Sequence, residues 1–501
     1  MTTSSAEPAR LEAYPHALSG ADEELEALAR ELDGAMSAFA SGAGAYLPAG
    51  FDMSAPGVEV RGLRDESRYQ ADWVARIGAG FRAADTDADG DGIFTADDEF
   101  LDGLVGPPTM AEAMRIPPPG TDPAAVARWW ATLPLDLRER LIQRNFDQLG
   151  NLRGLPAVDT DRINRLRLAR DIPALQTAYD DVSGRLADVE ARIDACTGDV
   201  PDSLLEERGR LLNEQHRVWT ELTNAQKIDA QMRDLDRRYG NDPATRPYLL
   251  TYGYENSGRF AVGLGNPDYA DNTAVVVPGT THDVQNEGGL FGPVSEGERL
   301  LAQMNAESGG NGSGPGATNN AVIIWMGTDM PDDIHAAANP TYGDIEHGAA
   351  WLRDDVAGYQ AAHAQAQANT HMPANTHMTV VAHSYGSYLT GESLESGMHV
   401  DDFVSIGSAG LNVDRFEDLG MPGNHVWGGN ADGDPVPWVS PHGLGPTFRG
   451  EATTFTTNGS HGHSEYYKEN SDSLHNMARI AVGRYGDVST RPQDQIPSNP
   501  F

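Results

Sequence analysis

The chain has one cysteine, Cys196, in 501 residues. With no second thiol, no intramolecular disulfide can form, and the fold must rest on buried apolar surface. Basic residues are scarce: 36 Lys and Arg stand against 74 Asp and Glu, a formal net charge of −38. So acidic a chain has little with which to neutralise phosphates, which argues against nucleic-acid binding and against docking on anionic lipid. Apolar runs fall short of the roughly eighteen residues that would span a bilayer, so no membrane insertion is expected. Residues 1–8 lack the basic and apolar regions of a secretory signal peptide. These absences point to a protein that stays in the cytoplasm or is exported without a standard signal peptide, and is not integral to a membrane.

Residues 379–388 carry the richest signal. The β-branched run Thr379, Val380, Val381 enters the turn Ala382-His383-Ser384-Tyr385-Gly386, and a small-residue helical pattern leaves it. Such a strand–turn–helix exposes a serine hydroxyl on a strained elbow above a parallel sheet. Strand and helix nearly touch there, so the positions two before and two after the serine must be small. Gly386 meets that need fully; Ala382 adds a methyl group. Upstream, the apolar run 272–277 leads into Pro278-Gly279-Thr280-Thr281. In that arrangement one oxyanion-hole N–H comes from such a loop and the other from the residue after the nucleophile. The donor candidates are therefore Tyr385 and either Thr281 or Thr280. Residues 321–326 form a second apolar run suited to a parallel strand covered on both faces, and residues 343–360 read as a crossover helix.

Downstream, residues 403–407 and 425–428 read as two further short strands. The loop after the second carries Asp432 and Asp434 in an Asp-Gly-Asp-Pro turn. An acid is needed here, and the Asp-Pro-Val-Pro form favours Asp434, with Asp432 as competitor. A last strand candidate, 452–457, opens into a loop bearing His461 and His463. A serine hydroxyl becomes a competent nucleophile when a neutral imidazole takes its proton, and the imidazole needs a carboxylate to fix its tautomer. With 15 histidines in the chain, one in the right loop says little. Elbow, oxyanion loop, acid and histidine in this order say much more. The expected fold class is α/β: an α/β-hydrolase, doubly wound, mostly parallel sheet, preceded by an all-α N-terminal region.

From about Trp129 onward the chain resembles the DUF1023-type α/β-hydrolases of actinobacteria. The resemblance rests on Trp129-Trp130-Ala131-Thr132-Leu133, Gly154-Leu155-Pro156-Ala157, Asp161-Arg162-Ile163-Asn164-Arg165, the Val277-Pro278-Gly279-Thr280 loop, the His383-Ser384-Tyr385-Gly386-Ser387 elbow and the His463-Ser464 pair. It implies a Ser-Asp-His triad that carries over onto Ser384, Asp434 and His463. Ala382 stands where that family usually shows glycine. The resemblance implies a hydrolase and brings no substrate with it.

A second chemical motif spans residues 87–98. Asp87, Asp89 and Asp91 occupy positions one, three and five of an EF-hand loop, Gly92 its sharp turn, Ile93 the carbonyl position and Thr95 position nine. Position twelve is Asp98 instead of the usual bidentate glutamate, so binding of Ca²⁺ is expected to be weaker or more Mg²⁺-like. A helical stripe of Tyr69, Trp73, Ile77 and Phe81 precedes the loop, and residues 95–104 read as the exiting helix. A lone loop of this kind suits a structural ion better than a sensor.

The remaining organisation reads as a flexible tail (1–20), a helical region with the EF-hand-like loop (21–106), a proline-rich connector (107–123), a helical lead-in and antiparallel helical hairpin (124–240) and a catalytic domain (241–501). The hairpin follows from the heptad stripe Leu175, Tyr179, Val182, Leu186, Val189, Ile193 and the partner stripe Leu204, Leu211, Val218, Ala225, Met232. The lead-in is expected to end near Ile172, and Ser203-x-x-Glu206 to form a capping box. The function expected is hydrolysis of a carboxylic ester or related acyl bond in a small-molecule substrate, with no cofactor for catalysis. The alternative is an exported effector or partner-docking protein on a hydrolase fold, its helical region serving a secretion partner; no Trp-x-Gly hairpin motif supports that reading.

Overall fold

The computed structural model describes residues 3–16, 21, 23–31, ten positions between 64 and 79, 94–97, 114–240, 242, 245–280, 282, 284–285, 290–309, 319–331, 345–370, 376–413, 415–439, 442–443, 445 and 452–492. The chain divides into two compact units, one of residues 1–117 with 129–144 and one of residues 118–128 with 145–501.

In the first unit, β1 (Thr3–Ala6) pairs antiparallel with β2 (Phe94–Asp97), Ala6 lying opposite Phe94. A short helix, α1 (Pro8–Glu12), starts on a proline, whose missing N–H costs nothing in a first turn. Two expectations change here. The first residues are not a free tail, and Thr95–Asp97 are extended where an exiting helix was expected. The two short segments satisfy each other's backbone groups, which neither does alone.

The second unit contains two 38-residue helices, α2 (Ala157–Asp194) and α3 (Asp202–Tyr239), running antiparallel. At their far end Val182, Leu186 and Val189 pack on Leu211. Near the sheet Leu168, Leu175, Ala225, Ile228 and Met232 join Leu249, Phe260 and Val262 in one core. The lead-in does not stop at Ile172: α2 runs on through Pro173, so lead-in and hairpin are one helix. Helix α3 starts at Asp202 behind Pro201 with no side-chain cap, so Ser203 lies in its first turn and the expected capping box is absent.

Eight strands form the sheet: β3 (Pro247–Gly253), β4 (Arg259–Leu264), β5 (Asn272–Val277), β6 (Asn320–Met326), β7 (His377–His383), β8 (Asp402–Ile406), β9 (Val426–Gly429) and β10 (Thr453–Thr454). Their spatial order is β10-β9-β8-β7-β5-β6-β4-β3. Strands β5 to β10 run parallel, while β3 and β4 add an antiparallel edge that the sequence reading missed. Helices α4 (Phe291–Glu307), α5 (Ile345–Thr370), α6 (Tyr385–Glu395) and α7 (Asp472–Ala481) follow in chain order. One core lies with α4 and α7, the other with α5 and α6. A sheet covered on both faces explains why every residue of β5 and β6 is buried. This is an α/β-hydrolase fold, and the loops beyond the C-terminal ends of β5, β7, β9 and β10 bring the candidate residues together. No helix among the described residues is long and apolar enough to cross a membrane.

Candidate active site

Strand β7 pairs with β5 as far as Ala382 opposite Val277, and with β8 as far as His383 opposite Ile406. One residue further on the chain turns sharply. Ser384 has φ 55° and ψ −123°, left-handed backbone that a non-glycine residue adopts only under strain. The turn is held by its neighbours: Ser384 N–H donates to the Ile406 carbonyl at 3.0 Å, and Ser387 N–H to the Ser384 carbonyl at 3.0 Å. Gly386 is needed here, because a Cβ at that position would lie 2.5 Å from the Pro278 carbonyl oxygen. Gly279 faces the serine as closely; a Cβ there would sit 2.7 Å from Ser384 Cβ. Ala382 is fully buried in β7, so the elbow forms with its methyl group in place.

Ser384, His463 and Asp434 lie in one chain of hydrogen bonds. His463 Nε2 is 2.8 Å from Ser384 Oγ, and His463 Nδ1 is 2.9 Å from Asp434 Oδ2 and 3.0 Å from Oδ1. The Asp434 side chain is wholly buried. Burial alone would raise its carboxyl, but hydrogen bonds from His463 and Tyr466 outweigh it and hold the group below the usual carboxylate range. The Val436 N–H donates to Oδ1 at 3.0 Å. Of the two competing acids, Asp432 points away: its side chain is 91% exposed, and its ion-pair partner among the described residues is His461, at 3.9 Å.

The oxyanion candidates divide. Tyr385 opens α6 directly after the serine. Thr280 is on the loop that carries Gly279, and its carbonyl is 2.9 Å from His282 Nδ1. Thr281 lies outside the described residues, as do Asp87, Asp89, Asp91, Ile93 and Asp98 of the calcium-loop motif; Thr95 is in β2.

Three residues that sequence reasoning did not single out surround the cluster. Tyr466 donates to Asp434 Oδ2 at 2.5 Å and accepts from the Ala431 N–H at 3.0 Å. His383 donates from Nε2 to the His463 carbonyl at 2.7 Å, their rings 4.6 Å apart. Burial, reinforced by nearby His463, pushes His383 down to about 3, which keeps it neutral. Burial also lowers His282. His383 was visible inside the elbow motif and Tyr466 three residues past His463, but neither position shows in sequence where its ring points.

Residues 254–443 match a protein-family model described as Alpha/beta hydrolase. Among relatives, the chain is 30% identical over 448 residues to the uncharacterized protein Rv2079 of Mycobacterium tuberculosis (strain H37Rv), covering 79% of this chain. The chain thus spans 61% of that relative's length. It is 29% identical over 211 residues to the uncharacterized protein Rv0963c of the same organism, covering 42% of this chain and 73% of that one. Among solved structures, carboxyl esterase 2 of the fungus Tuber melanosporum is 12% identical, with a TM-score of 0.26 over 52% of this chain and 98% of the esterase. That likeness is too remote to bear on activity.

Proposed function

From an α/β-hydrolase fold matched to that family over residues 254–443, we propose that this chain is a serine hydrolase that cleaves a carboxylic ester or related acyl bond of a small molecule. The observation that carries the reading is His463, whose two ring nitrogens lie 2.8 Å from Ser384 Oγ and 2.9 Å from Asp434 Oδ2, with the serine on a strained elbow. In this reading Ser384 Oγ attacks the acyl carbon while His463 Nε2 takes its proton. Asp434 keeps the other ring nitrogen protonated and stabilises the imidazolium. The N–H of Tyr385 and that of Thr281 or Thr280 hold the developing oxyanion. Collapse expels the alcohol, which receives the proton from His463 and leaves an acyl ester on Ser384. Water, deprotonated by the same nitrogen, then releases the acid and restores the serine.

The test pairs a fluorophosphonate probe with a panel of acyl esters. The intact chain should be labelled at Ser384 and should turn over at least one ester; Ser384→Ala should do neither while keeping its melting temperature. Undiminished turnover in that variant would sink the proposal. We further propose that Ca²⁺ binds residues 87–98 as a structural ion, on the donor chemistry of three aspartates, a backbone carbonyl and Asp98.

A further inference from the structure

A cavity of about 280 Å³ opens where the β3–β4 edge, the start of α2 and the middle of α5 meet. It shares no residue with the Ser384 site, and what it holds does not depend on the function proposed above. Three arginines line it: Arg153, Arg167 and Arg259. They are not alike.

Arg153 is satisfied by the protein itself. Its Nε meets Asp355 Oδ1 at 2.7 Å, and the other oxygen of that carboxylate accepts from Trp325 Nε1 at 2.8 Å. Arg167 has only neutral acceptors, donating from one Nη to Asn164 Oδ1 at 3.1 Å and to the Tyr252 carbonyl at 3.4 Å. Its Nε is shielded from solvent and has no hydrogen-bond partner. Arg259 makes no hydrogen bond or ion pair among the described residues; its guanidinium lies 5.1 Å from the ring centroid of Trp351. A shielded N–H without an acceptor is costly and rare in folded proteins. In a chain of net charge −38, two guanidinium groups that form no ion pair among the described residues, beside one small cavity, are all the more unusual.

Of the acids nearby, Glu255 comes closest to Arg259, since a Cβ on Gly253 would lie 2.9 Å from Arg259 Nε and 3.3 Å from Glu255 Oε2, but the two form no ion pair; the others are committed elsewhere. Asp355 is committed to Arg153 and Trp325. Asp268 is buried and caps the start of α2, accepting from the Ala157 N–H at 2.7 Å. Burial pushes its carboxyl up to about 7, so it opposes the arginines only in part near neutrality. None of these carboxylates is paired with Arg167 or Arg259.

We propose that this cavity binds a small organic anion, its carboxylate or phosphate held by Arg167 and Arg259 and its flat apolar body set against Trp351 and Tyr252. A guanidinium fork matches either headgroup in bidentate fashion, which an ammonium does not. The volume sits near the lower end of small-molecule sites, which fits a metabolite-sized ligand and excludes a peptide or polynucleotide.

The experiment uses the full chain at fixed ionic strength. Phenyl phosphate and benzoate are titrated by calorimetry, with tryptophan fluorescence as a second readout. At least one should bind saturably at one site per chain, and the tighter of the two identifies the headgroup. Arg259→Gln and Arg167→Gln should each weaken binding at least tenfold. Arg259 makes no hydrogen bond or ion pair among the described residues and lies only over Trp351, so Arg259→Gln should keep a melting temperature close to that of the wild type. Ser384→Ala should bind as wild type. Absence of saturable binding by either probe to the folded protein overturns the proposal, as does unchanged affinity in Arg259→Gln. Binding lost in Ser384→Ala overturns it too, since the probe would then be reporting the other site.

Discussion

Tyr466 donates a 2.5 Å hydrogen bond to the same oxygen of Asp434, Oδ2, that faces His463 Nδ1 at 2.9 Å. The phenol is itself anchored by the Ala431 N–H, and the Val436 N–H holds the other carboxylate oxygen. The carboxylate is thus held by two donors besides the imidazole. Gly407 leaves the necessary room: a Cβ there would lie 2.8 Å from Asp434 Oδ2 and 3.1 Å from His463 Cε1. Tyr466 touches no reacting atom in this arrangement and acts as a positioning residue.

Removing that hydroxyl should therefore loosen the acid without removing it. Tyr466→Phe is expected to lower kcat about tenfold, in line with the effect of outer-shell partners elsewhere, with KM for a small ester little changed. Asp434→Asn should cost on the order of thousands-fold, because the amide stabilises the wrong tautomer. Asp432→Asn should be near neutral, given how far its side chain extends into solvent. Steady-state kinetics on the three variants decide the matter; a larger loss at Asp432 than at Asp434 would mean that this geometry does not describe the working enzyme.

Ser384 and His463 should behave as one unit. Each alanine variant alone is expected to remove nearly all turnover, and the double variant to lose little more, since neither partner works without the other. His461→Ala should be mild, because that ring lies outward beside Asp432. Additive losses in the double variant would show that the two side chains act in separate steps.

The parts of this site that were legible in sequence are those encoded locally. Strands β5, β6 and β7 are continuous apolar runs because both faces are covered, and the Ser384 elbow and the Asp434 turn are short motifs with their own backbone chemistry. What was not legible depends on partners far away in the chain. Strands β3 and β4 are short apolar stretches bounded by glycine and arginine, and only antiparallel pairing through β4 to Trp325 and its neighbours on β6 gives them a place. The run 452–457 was expected to be one strand, yet only Thr453 and Thr454 pair with β9. Phe455 still donates its N–H to the Gly428 carbonyl at 3.0 Å but also bridges to Thr490, and the Thr456 N–H donates to the Ser489 carbonyl, drawing the chain off the sheet edge. The lead-in was expected to end near Ile172, but α2 continues through Pro173 within a helix that tertiary packing supports along its length.

The buried neutral histidines of the second unit contribute stability that acid removes. His383 is held at about 3 against an ordinary 6.5, so the unfolded chain takes up a proton below 6.5 that the folded chain refuses. Its contribution is complete above pH 6.5 and is lost as pH falls toward 3. His282 and His363 are also lowered by burial and act in the same sense. His377 opposes them, because hydrogen bonding to Asp402 outweighs burial and raises it, and so do Asp268 and Glu296, whose carboxyls burial raises to about 7. Asp434, held low, matters only at more acid pH. Melting temperature measured between pH 6.5 and 4 should fall less steeply in His383→Gln, which can keep a donor to the His463 carbonyl. An unaltered slope would mean that the ring is reached by solvent.

The calcium-loop motif predicts a stability effect separable from catalysis. An ion that binds only the folded state stabilises it by mass action, by about 2.7 kcal/mol at a hundredfold excess over Kd. Ca²⁺ should therefore raise the melting temperature of the first unit, and the paired change Asp87→Ala with Asp89→Ala should abolish that rise by deleting two ligands. Asp98 at position twelve reaches the ion less well than a glutamate would, so Asp98→Glu should tighten Ca²⁺ binding and sharpen its preference over Mg²⁺. Hydrolysis of a small ester should be indifferent to all of these changes, since residues 87–98 and Ser384 fall in different compact units. Calorimetry with EGTA, followed by re-addition of Ca²⁺, measures the first effect, and ester turnover in the same samples measures the second. Reversible loss of small-ester turnover on chelation would make the ion part of the enzyme's control and end its description as a structural brace.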